Sequence, residues 1–84
     1  MTVSGNIDIG GNDFNIADSG QIHLGDGADL RIYHDGSDSY IADVGTGSLK
    51  VLSHDYQLKN AANNEMMLRA FENGAVELLS LIHI

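Results

Sequence analysis

The sequence predicts an all-β protein made of short strands that follow one another in a meander. Apolar and polar residues alternate over short runs such as Leu30–His34, and this period of two is typical of half-buried strands. Turn formers, mostly Gly, Asn and Asp, recur between these runs about every 8–12 residues, which favours an all-β arrangement over a βαβ one. The chain of 84 residues has ten glycines and no proline.

Along the chain, the alternating runs predict about nine strands. The runs before the middle of the chain are Ile7–Ile9, Phe14–Ile16, Ile22–Leu24 and Leu30–His34, and those after it include Leu49–Leu52 and Tyr56–Lys59. The turns between them are expected at 10–13, 19–20, 25–27, 35–36, 45–47 and 73–74. Glycine supplies positive φ at little cost there, and Asn and Asp tolerate it.

The segment 64–73 fits two structures. Asn64 is a candidate N-cap, the following residues are good helix formers, and Gly74 could end a short helix. The Asn73-Gly74 pair is also a hairpin signal, and strands are expected on both sides. We predict a strand here, with the helix as the alternative.

Composition excludes several classes of function. There is no cysteine, so the chain has neither disulfides nor a thiolate zinc site. A net charge of −8 disfavours binding to nucleic acid and to anionic membranes. No apolar run approaches the ~18–20 residues that span a bilayer. The N-terminus lacks a basic segment followed by an apolar core, so no secretion signal is predicted.

The last six residues differ from the rest of the chain. Leu79–Ile84 is an apolar run without turn formers, and it is similar to the translation of a transposon-end adaptor used in sequencing libraries. We therefore expect 1–78 to be a single β-structural segment and 79–84 to be a non-native tail, which gives His83 no role. An ordinary C-terminal edge strand is the alternative.

Several blocks of the sequence occur in a specific order. The longest is LGDGADLRIYHDGSDSYI at 24–41, and shorter blocks follow at 45–49, 57–61, 65–68 and 73–78. From Gly5 to Leu78 the chain resembles the repetitive regions of marine bacteriophage tail-fibre-like proteins. The resemblance implies a virion structural protein, a tail-fibre segment assembled in the host cytoplasm, which acts by self-association and presents distal host-binding modules.

The short strands and their spacing predict a meander, a fibrous β-prism or a β-helix-like fold, and the resemblance implies that it forms an intertwined homotrimer. Other tail proteins and host-surface glycans are expected partners through regions that this fragment lacks. Trimerisation would cover apolar strand faces and remove open sheet edges. The side chains expected inside are Ile7, Ile9, Ile16, Ile22, Leu24, Leu30, Ile32, Leu49, Val51, Leu58, Leu68 and Val76.

Calcium binding is the alternative function. Four aspartates in Gly-rich turns, Asp26, Asp29, Asp35 and Asp38, are weak candidate ligands, because Ca²⁺ prefers carboxylate and carbonyl oxygens. The turns would then belong to a secreted calcium-dependent β-roll or adhesin module. The β-roll repeat and the EF-hand spacing are both absent, however. We therefore predict no metal, no cofactor and ordinary turns.

The remaining candidates for chemistry are scattered. His23, His34 and His54 have no metal-ligand spacing, and no nucleophile lies in a recognisable catalytic pattern, so we predict that the chain is not an enzyme. The aromatic residues would form either cross-strand packing or a sugar-binding platform at a glycan-binding tip. These residues are Phe14, Tyr33, Tyr40, Tyr56 and Phe71.

Overall fold

The computed structural model describes residues 4–79 and confirms the all-β prediction, because these residues form six strands and no helix. The chain divides into two compact units, Met1–Leu49 and Lys50–Ile84, and each contains one three-stranded antiparallel sheet. Among the described residues, no helix could cross a membrane. The strands are β1 (Gln21–Leu24), β2 (Leu30–His34), β3 (Ser39–Asp43), β4 (Asp55–Lys59), β5 (Met66–Phe71) and β6 (Val76–Leu78).

The first sheet has the strand order β1-β2-β3. Two short connections determine its register. In the first, the N–H of Ala28 donates to the Gly25 carbonyl at 3.1 Å, and Ala28 takes a left-handed φ of 54°. In the second, the N–H of Asp35 donates to the Asp38 carbonyl at 3.1 Å, so Gly36 and Ser37 form the tip of the four-residue connection between β2 and β3. Both turns fall where the sequence predicts them.

The second sheet has the strand order β4-β5-β6. Its first connection resembles that of the first sheet, since the N–H of Asn63 donates to the Asn60 carbonyl at 3.0 Å and Asn63 has a φ of 59°. A β-bulge shifts the register between Leu58 and Lys59. The sheet therefore has the same meander topology as the first, with one local irregularity.

The segment 64–73 forms a strand, as predicted, and not the alternative helix. Strand β5 pairs with β4 on one side and β6 on the other, so its backbone groups are satisfied by two neighbours. The Asn73-Gly74 signal marks the β5–β6 turn, where the N–H of Gly74 donates to the Phe71 carbonyl at 3.1 Å. Tertiary pairing thus overrides a local preference for helix.

Three of the predicted strands do not form. Residues 7–9, 14–16 and 49–52 alternate in polarity, but none of them belongs to a sheet in the part of the chain that the structure describes. Runs of three or four residues offer few ladder hydrogen bonds, and each needs a neighbouring strand to pair with. Alternation alone does not supply that neighbour.

No residue among 4–79 is buried in a single copy of the chain. All twelve side chains expected inside are at least partly exposed; Ile32, at 38%, and Val76, at 68%, are two examples. The predicted trimer is a separate matter and stays a prediction. Of the predicted non-native tail 79–84, only Leu79 is within the described residues, and its N–H donates to the Met67 carbonyl at 2.9 Å.

Candidate interaction surfaces

The first sheet has one apolar face. Residues that pair across antiparallel strands point to the same side of the sheet. Five apolar residues share one side: Ile22, Leu24, Leu30, Ile32 and Ile41. The exposed fractions of four of them range from 38% to 67%, and Leu30 is half-buried. Asp43 pairs with Leu30 at the edge strand and is the acidic residue on this side.

The opposite side of the first sheet is polar and aromatic. Tyr33 and Tyr40 pair across β2 and β3, and their rings stack with centroids 4.6 Å apart and planes at 18°. Arg31 lies on the same side and donates from Nε to the Ala28 carbonyl at 3.0 Å. His23 pairs with Arg31 across β1 and β2 and hydrogen bonds to the Gln21 side chain at 2.7 Å. These residues form the polar face of the first sheet.

The second sheet also has one apolar face. Its six residues are Tyr56, Leu58, Leu68, Ala70, Val76 and Leu78. Leu68 and Ala70, on the central strand, are half-buried, and the other four have exposed fractions between 42% and 68%. Among these six residues the Tyr56 phenol is the ionisable group, and the Lys59–Met66 pair lies beyond the β-bulge. The exposed apolar side chains of the second sheet are therefore gathered on one surface.

The polar face of the second sheet is built around Arg69. Its guanidinium donates to both carboxylate oxygens of Asp55, from Nε at 3.0 Å and from Nη2 at 2.7 Å. The same guanidinium lies 4.4 Å from the centre of the Phe71 ring. Gln57 adds a hydrogen bond to Asp55 at 3.2 Å. Hydrogen bonding from Arg69 lowers the pKa of the Asp55 carboxyl, and the carboxylate raises the pKa of Arg69.

The predicted calcium ligands serve other purposes where the structure defines their contacts. The Asp35 carboxylate accepts hydrogen bonds from the N–H groups of Ser37 at 2.9 Å and Asp38 at 2.8 Å, and from the Tyr40 hydroxyl at 2.9 Å. These donors, the Asp38 N–H foremost, lower the pKa of Asp35, and the carboxylate raises the pKa of Tyr40. Asp35 therefore caps the β2–β3 turn.

The other three aspartates are not drawn together with Asp35. Asp26 lies in the β1–β2 connection, and Asp38 completes the β2–β3 turn through its backbone carbonyl. The Asp29 side chain lies against Gly45, where an added Cβ would come within 2.8 Å of the Asp29 Cβ. Within residues 4–79, no three His, Cys, Asp or Glu side chains are grouped so that they could hold a metal ion.

The histidines are also separated. His23 lies on the polar face of the first sheet, whereas His34 lies on the other side and hydrogen bonds to the Ser39 hydroxyl at 2.9 Å. His54 belongs to the second unit, where its carbonyl accepts from the Glu72 N–H at 2.8 Å. Each of these three histidines thus has a local contact.

The aromatic residues form no common platform. Tyr33 and Tyr40 pack against each other, as the cross-strand interpretation predicts, and Phe71 contacts Arg69. Tyr56 lies on the apolar face of the second sheet, and Phe14 is 67% exposed outside any strand. Sequence reasoning missed the Asp55–Arg69 pair, and it predicted cross-strand packing of aromatic residues without saying which of them pair. A hairpin's turn determines which residues pair, and the β4–β5 turn at 60–63 is not among the turns that the sequence predicts.

Two open depressions lie beside the apolar faces. One, of about 400 Å³, includes Phe14, Ile16, Ile22 and Ile32 in its lining, and the other, of about 370 Å³, includes Tyr56. Their apolar character matches the surfaces beside them.

No protein-family model matches the chain, and comparison with characterised proteins and with solved structures finds no match.

Proposed function

We propose that this chain is a structural segment of a bacteriophage tail fibre, which acts by associating with further copies of itself. One observation carries the self-association: in a single copy, both sheets leave an apolar face uncovered and none of residues 4–79 is buried. The virion location and the phage origin are supported by the resemblance of the ordered blocks in 24–78 to tail-fibre-like proteins. In this role the chain is not an enzyme and uses no cofactor.

The apolar faces provide a driving force for association. Fully burying a Val, Leu or Ile side chain contributes about 1.5–3 kcal/mol, so covering the exposed half of one contributes about 1 kcal/mol. Each sheet offers four such side chains, Tyr56 included, with exposed fractions from 38% to 68%. Together they represent about 8 kcal/mol per copy, which is comparable with the net stability of a whole small domain.

A homotrimer is the proposed state. Three sheets around a common axis direct three apolar faces into one core, and the polar faces then point to solvent. This orientation places the net charge of −8 per copy mainly away from the contact, because Asp43 and His34 are the acidic and basic side chains on the apolar face of the first sheet and the Asp55–Arg69 pair lies outside. The trimeric number itself comes from the tail-fibre resemblance. Distal modules of the fibre would contact other tail proteins and host glycans.

Sedimentation equilibrium of the whole chain tests the proposal. The mass is measured at several protein concentrations, with and without a chelator of divalent ions, and far-UV circular dichroism reports folding in the same samples. A trimer mass that does not depend on chelator is the expected result. A folded monomer would reject self-association as the function of this segment. Loss of β-structure on chelation would instead favour the calcium-dependent module.

A further inference from the structure

The two sheets present the same cross-strand row of side chains at the same place in the meander. In the first sheet this row consists of isoleucines and in the second of leucines, one from each strand. Corresponding members of the two rows are 36, 36 and 37 positions apart in the sequence. We call them the isoleucine row (Ile22, Ile32, Ile41) and the leucine row (Leu58, Leu68, Leu78).

The connections that precede the central strands correspond as well. Each begins with a turn closed by a backbone hydrogen bond, from Ala28 to Gly25 in the first sheet and from Asn63 to Asn60 in the second. The closing residues have nearly the same left-handed φ, 54° for Ala28 and 59° for Asn63. An uncommon backbone conformation thus recurs at the same point of the two connections, 35 positions apart, which independently relates the two sheets.

From these correspondences we infer that the chain is a tandem pair of β-meander repeats about 36 residues long, each docking through its apolar face on the same repeat of a second copy. The isoleucine row then packs on isoleucine rows, and the leucine row on leucine rows. This inference rests on the proposed self-association and adds the contact surface and the register to it.

A second copy fits these faces because a repeat that cannot cover its own apolar side is typically covered by an equivalent repeat. The faces are almost free of charge, so an occupant must offer an equally uncharged surface. Another copy supplies one of the same size and shape.

The surroundings of the two rows distinguish like from unlike pairing. Beside the isoleucine row, Leu24 and Leu30 extend the apolar face toward the β1–β2 connection. Beside the leucine row, Ala70 and Val76 extend it toward the β5–β6 turn, the other end of the sheet. When two copies run in the same direction, two isoleucine-row faces, or two leucine-row faces, can therefore contact each other over two rows of apolar side chains. An isoleucine-row face against a leucine-row face would do so over one row.

Single cysteines test this register, because the chain contains none of its own. Ile32→Cys and Leu68→Cys place a thiol on the central strand of each row. An untagged Ile32→Cys chain and a size-tagged Leu68→Cys chain are unfolded together, reassembled as a mixture and treated with a short bismaleimide. We expect cross-links between chains of the same kind, with little product that joins the two kinds.

Matched controls carry the cysteine on the polar faces. His23→Cys and Gln57→Cys point to the other side of the same sheets, so they should cross-link about ten-fold less. Sedimentation equilibrium is measured on every variant. If either central cysteine prevents assembly, Ile41→Cys and Leu78→Cys replace the pair on the same rows.

The possible outcomes separate the inference from the proposed function. A monomeric wild-type chain would overturn self-association itself. An assembled wild type without same-kind cross-links would overturn docking through the apolar faces while leaving assembly intact. Mixed product at its statistical share would overturn the like-with-like register, because it shows that an isoleucine row lies against a leucine row.

Discussion

Each of the two sheets has an apolar face, but their polar faces differ. On the first, Tyr33 and Tyr40 stack without charge, whereas on the second Arg69 holds Asp55 through two hydrogen bonds and covers Phe71. The apolar rows, by contrast, match in position and spacing. The comparison indicates that one meander accepts different polar surfaces as long as its aliphatic row is kept, as expected if that row is the contact between copies.

The largest effect is expected from charge on the rows themselves. Ile32→Asp places a carboxylate at the centre of the isoleucine row, and an unpaired buried charge is strongly unfavourable, so assembly should be lost. Leu68→Asp should do the same through the leucine row. Sedimentation equilibrium measures both. Lys59→Ala, a control outside the rows, should assemble normally, and trimers of Ile32→Asp like those of the wild type would show that this face is not buried.

A smaller effect is expected at a tight glycine contact of the first unit. Gly45→Ala would bring a Cβ within 2.8 Å of the Asp29 Cβ, and because that atom is fixed to the backbone the chain must shift. Overpacking of this kind costs about 1–3 kcal/mol. The urea midpoint should fall accordingly. Gly11→Ala, where no atom lies within 4 Å, is the control and should leave the midpoint unchanged.

Exchanging the equivalent turn residues sharpens the comparison of the connections. Ala28 has a φ of 54°, a conformation that costs an alanine about 1 kcal/mol and that asparagine tolerates better. Ala28→Asn should therefore raise the free energy of unfolding by about 0.5–1 kcal/mol. Asn63→Ala should lower it by a similar amount. Opposite signs in chemical denaturation would support the equivalence, and equal signs would contradict it.

The ion pair predicts a pH dependence in the second sheet. Because the pKa of Asp55 in the folded chain lies below the ordinary value of 3.8, its contribution is present above that value and is lost as the pH falls through the lowered pKa. The wild-type thermal midpoint should thus fall more steeply below pH 4 than that of Asp55→Asn. Asp13→Asn, in the first unit, is the matched control. If its thermal midpoint fell with pH as gradually as that of Asp55→Asn, the assignment of the pH dependence to the ion pair would be contradicted.

The smallest effect concerns the tyrosine stack of the first sheet. The Asp35 carboxylate accepts a hydrogen bond from the Tyr40 hydroxyl and raises the pKa of Tyr40 above 10.0. In an ultraviolet titration, Tyr40 should ionise at higher pH than an ordinary tyrosine, and Asp35→Asn should bring it back toward 10.0. Tyr40→Phe identifies its transition. An unchanged titration in Asp35→Asn would show that this hydrogen bond is not formed in solution.

Sequence and structure agree best where a turn and an alternating run adjoin each other. Leu30–His34 alternates in polarity and is followed by Asp35-Gly36, and it forms a strand with the predicted bounds. Residues 7–9 alternate equally well but belong to no sheet in the part of the chain that the structure describes. Alternation measures suitability for a sheet, but only a neighbour at the right distance along the chain supplies the hydrogen bonds.

By itself, the sequence determined the all-β class, the turns other than that at 60–63 and which residues alternate, because φ preferences and side-chain periodicity are local properties of the chain. The tertiary structure decided that 66–71 is a strand, that Asp55 meets Arg69, and that the two aliphatic rows lie on equivalent faces. These depend on cross-strand register, which relates residues ten or more positions apart, as Asp55 and Arg69 are, through hydrogen bonds that no local pattern contains.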